Sequence, residues 1–232
     1  MIILSLHTTT PYLGAAITDG AHVLAEKTLP SGKRHLENFP DLVSDVLEMS
    51  DISLRDVEAF SAAIGPGSFS GVRIGLAAVK GYCLGLNKPI IGISSLDILI
   101  RQASHDQTSP IGVIDAGRGD VYAGHAGSHP GNRPASDCKP VIVPLREFPQ
   151  YARKLTNAPY VICGGSIIDQ LGMDHGEIVL KRVEIPSPAI CGILAHERLI
   201  NSDVDDLYLL TPLYMRKSDA EQKNRGKAQT DL

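Results

Sequence analysis

Three consecutive threonines, Thr8, Thr9 and Thr10, follow an apolar run that ends at Leu6, at a point where a turn joins two short strands. Hydroxyl-rich turns of this kind can hold the phosphates of a nucleotide. A magnesium–phosphate site also needs oxygen ligands such as a carboxylate, whereas the first polar residue after this strand is His7. We therefore interpret the threonines as a turn whose hydroxyls bond its own backbone, with phosphate binding as the alternative.

Glycines recur through residues 64–86, which read IGPGSFSGVRIGLAAVKGYCLGL. The pattern predicts a strand, a break at Gly-Pro-Gly, and a helix over residues 69–86. Each glycine inside a helix costs about 1 kcal/mol relative to alanine, so these glycines need compensating contacts. Either the backbone approaches a phosphate at the helix N-terminus, or another helix packs closely against the small side chains. The spacing matches neither a P-loop nor a dinucleotide fingerprint.

Other residues with chemical potential lack the setting that their chemistry requires. His125 and His129 have the spacing of a helical metal pair, but glycines and Pro130 around them argue against a helix. Ser68 and Ser70 have no base nearby in the sequence, so a hydrolase nucleophile is disfavoured. We predict no catalytic residue and no metal ligand in this chain.

Composition and charge exclude several classes of protein. The 232 residues carry a net charge of −4 and contain no tryptophan, which argues against a basic nucleic-acid binder with stacking platforms. The 4 cysteines form no C-x-x-C pair, which is typical of reduced thiols in the cytoplasm. The sequence shows neither a signal peptide nor an apolar run long enough to span a membrane, so we expect no membrane contact.

The elements that position these residues follow a repeated order. Residues 1–104 predict β-β-β-α-β-α-β-α, with apolar residues at helical spacing in the first helix, over residues 36–49. Residues 104–109 are polar, and a second β-turn-β opening follows at 111–126. We therefore predict an N-terminal lobe at 1–104, a C-terminal lobe at 105–215 and a frayed polar tail at 216–232.

Several stretches together resemble one family. The segment GPGSFSGVRIGLAAVKGYCLGLNKPIIGISSLDIL is similar to the central motif of the TsaB (YeaZ) family. VIDAGRGDVYAG resembles its Asp-Ala-Arg-x-Gly-Glu-Val-Tyr stretch, TPLYMRKSDAE its closing Pro-x-Tyr-x-Arg segment, and RHLENFPDLVSDVL its first-helix region. The resemblance covers the chain from Ile2 to about Glu221.

The resemblance implies both a fold and a role. The fold is α/β and two-lobed, like actin, sugar kinases and heat-shock ATPases (the ASKHA fold), with a mixed sheet and helices in each lobe. The role is that of a noncatalytic subunit of the bacterial machinery that forms threonylcarbamoyladenosine beside the anticodon of tRNAs. Its implied partner is the catalytic paralogue TsaD, joined by the ATPase TsaE, with a homodimer when the chain is alone and tRNA contacted only through the complex.

The resemblance also implies which cofactors belong to this chain. ATP, magnesium and a metal held by TsaD serve the complex, and this chain binds none of them itself. The family usually has an aspartate where His7 stands, so the departure argues further against an ATPase. An active ATPase or kinase of the same fold, a peptidase, and a purely homomeric binding module remain as alternatives.

A partner surface is expected on the first two long helices, because one helix cannot bury apolar residues on two faces against a single sheet. We predict an interface made of Leu36, Phe39, Val43, Val46, Gly71, Gly75, Ala78, Val79 and Tyr82. On this interpretation, Gly75→Leu weakens TsaD binding and leaves the single chain folded.

Overall fold

The structure is a computed structural model that describes residues 1–30, 35–104, 110–125, 139–155, 160–171 and 178–216. Within these residues the chain forms two five-stranded sheets. The two-lobed fold class, with a mixed sheet and helices in each lobe, is confirmed.

The first sheet is built from the N-terminal third of the chain. Its strands are β1 (Ile2–His7), β2 (Tyr12–Asp19), β3 (His22–Pro30), β4 (Ala59–Ala63) and β5 (Ile90–Ile93). Their order is β3-β2-β1-β4-β5, in which β1–β2 and β2–β3 pair antiparallel while β1–β4 and β4–β5 pair parallel. The helices that follow β3, β4 and β5 are α1 (His35–Ser50), α2 (Phe69–Leu86) and α3 (Ser95–Ala103).

The second sheet repeats this arrangement. Its strands are β6 (Ile111–Gly117), β7 (Asp120–His125), β8 (Val141–Pro144), β9 (Tyr160–Gly164) and β10 (Ile178–Arg182). Their order is β8-β7-β6-β9-β10, with the same two antiparallel and two parallel pairings. The helices that follow β8 and β10 along the chain are α4 (Phe148–Leu155) and α5 (Pro188–Ile200). The second β-turn-β opening seen in the sequence is therefore a structural repeat of the first.

Each sheet is covered on one face by a helix from the other half of the chain. Helices α1 and α2 bury one face of the first sheet. Its opposite face packs against α5, where Cys191 and Leu194 meet Ile3 and Ile91. Helix α3 lies against the second sheet, with Leu99 in one cluster with residues of β9 and of the segment after β10. The lobe boundaries at residues 104 and 215 stay predictions, but α5 packs on the first sheet although it lies within 105–215.

The ends of the elements depart from expectation at three places. Residues 145–155 form a 3₁₀ turn at Leu145–Glu147 that is followed directly by α4. A second 3₁₀ helix, Ser166–Gln170, was not predicted. Arg216, which was assigned to the frayed tail, is held by an ion pair with Asp120, while residues 217–232 lie outside the described residues. No helix in the described part of the chain has the length and apolarity needed to cross a membrane.

Candidate functional site

The threonine turn between β1 and β2 is locked against the N-terminal half of α2. Thr8 Oγ1 donates a hydrogen bond of 2.8 Å to the Gly71 carbonyl oxygen. The Thr9 carbonyl oxygen accepts the backbone N–H of Ser68 at 2.8 Å, and Ser68 Oγ accepts the N–H of Gly71 at 3.2 Å. The free N–H groups at this helix end are thus partly used within the chain.

Three glycines of the segment, Gly67, Gly71 and Gly75, leave room for this turn. A Cβ at Gly67 would lie 2.4 Å from the Thr9 carbonyl oxygen, and one at Gly71 would lie 2.0 Å from the Thr8 carbonyl oxygen. A Cβ at Gly75 would lie 2.2 Å from Thr8 Oγ1. The close packing is therefore with the chain's own turn, and the interpretation that Gly71 and Gly75 receive a partner helix is wrong.

The same contacts test whether this end of the lobe fits the magnesium–nucleotide that the fold class implies. His7, which stands where a carboxylate is needed, is fully buried and shares a 2.7 Å hydrogen bond between its Nε2 and Thr9 Oγ1. Ser95 Oγ donates to Thr9 Oγ1 at 3.0 Å. The turn fills the space beside Gly67, Gly71 and Gly75, and the hydroxyls of Thr8 and Thr9 are hydrogen-bonded within the chain. These residues therefore do not fit a magnesium-bound phosphate.

The third threonine has a local role. Thr10 Oγ1 accepts the backbone N–H of Tyr12 at 3.2 Å, which is the turn bond expected of a hydroxyl at this position. Thr8 and Thr9 differ, because their side-chain partners lie on α2 and α3 as well as within the turn.

A cavity of about 530 Å³ opens between the two sheets beside this turn. Its polar lining includes Thr9, Thr10 and Ser68 from the first half of the chain and Asp115, Ser166 and Glu184 from the second. Among the described residues that line it, the charged ones are the two acids. Such a lining repels the phosphates of a free nucleotide.

Most of the predicted interface residues lie inside the chain's own core. Phe39, Val43, Val46 and Val79 are buried in the cluster between α1, α2 and the first sheet. Tyr82 is half-buried, and its ring stacks on Phe60 with centroids 5.5 Å apart. The prediction that these four residues form a partner interface is therefore wrong, because they are already buried within the chain.

Two predicted interface residues need separate mention. Ala78 is half-buried and packs at the margin of the same core, so it stays a prediction for a partner contact. The side chain of Leu36 lies outside the described residues.

A different face of α2 is open. We define the outer face of α2 as its exposed residues spaced by three or four positions, which are Ser70, Arg73, Ala77, Gly81 and Leu84. Apart from the backbone of its own helix, no atom of the described residues lies within 4 Å of where a Cβ would stand at Gly81 or at Gly85, which is also exposed. Leu84 is 57% exposed. This face combines small residues with an exposed leucine at the spacing of a helix-packing seam.

Helices α1 and α2 carry opposite charge. Helix α1 contains four acids, Glu37, Asp41, Asp45 and Glu48, and no lysine or arginine. Of these, Asp45 forms an ion pair with Lys27 at 2.8 Å, and the other three are exposed on what we call the outer face of α1. Helix α2 contains no acid, and the charged residue on its outer face is Arg73. An acidic helix face therefore lies beside a face that carries an arginine.

Arg73 is fixed by two aromatic rings. Its guanidinium carbon lies 3.8 Å from the centroid of the Phe69 ring and 5.3 Å from that of the Tyr214 ring. Arg73 Nε donates to Tyr214 Oη at 2.5 Å. Sequence reasoning missed this cluster because Tyr214 is 141 residues away, although the Pro-x-Tyr-x-Arg segment had marked it as part of a motif.

The described residues contain no group of three or more histidines, cysteines, aspartates or glutamates placed to hold a metal ion. His125, from the H-x-x-x-H spacing, lies at the end of β7, as expected outside a helix, and burial lowers its pKa. His129 lies outside the described residues. Asp115, near the end of β6, accepts the backbone N–H of Gly117 at 2.7 Å.

Comparison with known proteins gives matches over both the sequence and the fold. A family model described as TsaD, tRNA N6-adenosine threonylcarbamoyltransferase, matches residues 22–131. The chain is 29% identical over 240 residues to the tRNA threonylcarbamoyladenosine biosynthesis protein TsaB of Escherichia coli, which covers 98% of this chain and 100% of that protein. It is 34% identical to TsaB of Bacillus subtilis over 53% of this chain and 54% of that protein.

A solved structure has the same fold. YeaZ from Pseudomonas aeruginosa superposes with a TM-score of 0.76 over 92% of this chain and 99% of that one, at 20% identity. That superposition covers both sheets, and the motifs that carry the sequence resemblance lie on α1, over residues 65–99, on β6 and β7, and around Tyr214. By sequence over nearly its whole length and by fold, this chain is similar to the TsaB (YeaZ) proteins.

Proposed function

We propose that this chain is a noncatalytic subunit in the formation of threonylcarbamoyladenosine in tRNA, and that it acts by binding TsaD through the outer faces of α1 and α2. The single observation that carries the docking surface is the pair of open glycines, Gly81 and Gly85, on the exposed side of α2. Each destabilises the helix by about 1 kcal/mol relative to alanine, and no contact within the described chain compensates. A close-packed partner helix supplies the missing contacts.

The interlocked turn supports a noncatalytic role. Residues that would position a phosphate in an enzyme of this fold instead hold α2 in place, through Thr8 and Thr9. The chain's own contribution is therefore to present a rigid helical surface, on which TsaD is held in its competent arrangement. We assign nucleotide and metal binding to the other subunits.

The remaining features of the assembly belong to the same proposal. TsaE joins the pair, a second copy of the chain occupies the docking surface when TsaD is absent, and tRNA is contacted through the complex. The location is cytoplasmic. The names of the two TsaB relatives described above both refer to threonylcarbamoyladenosine biosynthesis, and they support the modification pathway as the setting.

Reconstitution with the TsaD and TsaE proteins of the same genome tests the proposal. Purified TsaD and TsaE are assayed for threonylcarbamoyladenosine in tRNA by mass spectrometry, with and without this chain. We expect a 1:1 complex with TsaD and modification that depends on the chain. ATP hydrolysis or peptide cleavage by the isolated chain, abolished by a single substitution in it, would overturn the noncatalytic assignment.

A further inference from the structure

Arg73 is held in one orientation before any partner arrives. The guanidinium lies over the Phe69 ring, and Nε is bonded to Tyr214 Oη. An arginine side chain normally loses rotamer freedom on binding, and here the chain itself has already restricted it. An exposed arginine between two aromatic rings is also typical of the residues that dominate interface energies.

The unused donors of Arg73 suit a carboxylate. Tyr214 takes the Nε donor, so the two terminal nitrogens stay available as a planar fork. No acid among the described residues forms an ion pair with this guanidinium. A fork of this geometry binds a carboxylate through two parallel hydrogen bonds, which a lysine cannot reproduce.

Charge and pseudo-symmetry indicate where that carboxylate comes from. The matched TsaD region, residues 22–131, spans both α1 and α2, so a TsaD subunit carries a corresponding helical pair. In a twofold pairing, residue i of one subunit contacts residue j of the other while j contacts i, so the first helix of one subunit is able to face the second helix of its partner. In this chain α1 carries four acids and the exposed charged residue of α2 is Arg73, so the two helices are complementary in charge in that arrangement.

We infer that Arg73 is the specificity-determining contact of the docking surface, where its guanidinium binds a carboxylate side chain of TsaD. This inference rests on the proposed function. Phe69 and Tyr214 act as positioning residues, since they hold the guanidinium and do not themselves need to touch the partner.

Affinity for TsaD tests the inference with matched charge changes. Dissociation constants are measured by titration calorimetry for the wild type, Arg73→Glu, Arg73→Lys and the control Arg153→Glu. Arg153 is exposed on α4, beside the second sheet. We expect Arg73→Glu to weaken binding by about 30-fold or more and Arg73→Lys by about tenfold. Arg153→Glu leaves binding within about twofold, as expected for a remote surface charge.

Zero-length cross-linking identifies the partner group. Carbodiimide joins the amine introduced by Arg73→Lys to any carboxylate in contact with it, and mass spectrometry locates the bond. We expect a link to an aspartate or glutamate of TsaD, and none from Arg153→Lys. Circular dichroism and thermal unfolding of each variant establish that it is folded.

The possible results separate the two proposals. If the wild type binds TsaD and Arg73→Glu binds within about threefold of it, the Arg73 inference fails and the proposed function stands. A cross-link only to a second copy of the chain also overturns the inference. If the folded wild type does not bind TsaD at all, the proposed function fails, and the inference fails with it.

Discussion

Thr8 Oγ1 donates a hydrogen bond to the carbonyl oxygen of Gly71 at 2.8 Å. Thr8 Oγ1 also lies 2.2 Å from where a Cβ at Gly75 would stand. One threonine side chain thus fixes two successive turns of α2. This contact sets the orientation of α2 about its own axis. Because Gly71 and Gly75 face the turn, Gly81 and Leu84 face outward. The threonine turn therefore determines which side of the helix a partner can reach.

Alanine at the inward glycines should destabilise the fold. Gly71→Ala places a Cβ 2.0 Å from a backbone oxygen, which cannot move aside as a flexible side chain could. We expect the free energy of unfolding to fall by about 2–4 kcal/mol for Gly71→Ala. Urea titration followed by circular dichroism measures it.

Alanine at the outward glycines is the matched control for that measurement. Gly81→Ala and Gly85→Ala fill open space on an exposed helix, so each should raise the free energy of unfolding by about 0.5–1 kcal/mol. Equal effects at Gly71 and Gly81 would contradict the inward and outward assignment.

A large side chain at Gly81 should block TsaD while preserving the fold. Gly81→Leu adds its side chain where no described residue outside the helix backbone lies within 4 Å, so thermal stability is retained. A partner helix packed at close range would be displaced, and we expect binding to weaken by at least about tenfold. The prediction from the sequence that Gly75→Leu leaves the single chain folded is wrong, because the leucine side chain would clash with Thr8 and unfold the chain. Undiminished TsaD binding by Gly81→Leu would exclude α2 as a docking helix.

Removal of Arg198 should destabilise the link between α5 and the first sheet. Arg198 bonds the Gly92 carbonyl oxygen at 2.8 Å and pairs with Asp203 at 2.7 Å and Asp205 at 3.0 Å. We expect Arg198→Met to lower the free energy of unfolding by about 2 kcal/mol at pH 7. Chemical denaturation of both proteins measures the difference.

That difference should depend on pH. The hydrogen bond from Arg198 lowers the pKa of the Asp203 carboxyl below its usual 3.8. A lowered pKa stabilises the folded chain above pH 3.8, and this contribution is lost as the pH falls through the folded value. The gap between wild type and Arg198→Met should thus be constant from pH 5 to 7 and should narrow below about pH 4. A gap that widens in acid would contradict the pairing.

The buried thiols should be unreactive in the folded protein. Burial raises the pKa of Cys83, Cys163 and Cys191 to about 12. At pH 8 only about one molecule in 10⁴ then carries each thiolate, and the sulfur is also shielded. Iodoacetamide at pH 8, followed by peptide mapping, should leave all three unmodified until urea is added. Rapid native alkylation of any of them would contradict its placement in the core.

Local signals predicted the elements well. The bounds of α2 were predicted from a strand and a Gly-Pro-Gly break, and the structure shows that Ser68 caps this helix, as Ser187 caps α5. The repeated β-turn-β opening predicted the second sheet. These features depend on neighbours in the sequence, which is why the sequence alone contains them.

The orientation of α2 could not be predicted in the same way. Small residues lie on two of its faces, Gly71 and Gly75 on one and Ala77 and Gly81 on the other, so periodicity does not distinguish them. The contact that decides between them joins Thr8 to Gly71, 63 residues away. The Arg73 cluster likewise depends on Tyr214, and only the folded chain brings them together.

The exchange of covering helices has a consequence for the order of synthesis. When the first 104 residues have left the ribosome, all strands of the first sheet exist, but the helix that closes one of its faces has not been made. That face, with Ile3 and Ile91, must wait for Leu194. The nascent first half therefore exposes an apolar surface until α5 has been synthesised, and a cut between the two sheets separates the first sheet from the helix that covers this face.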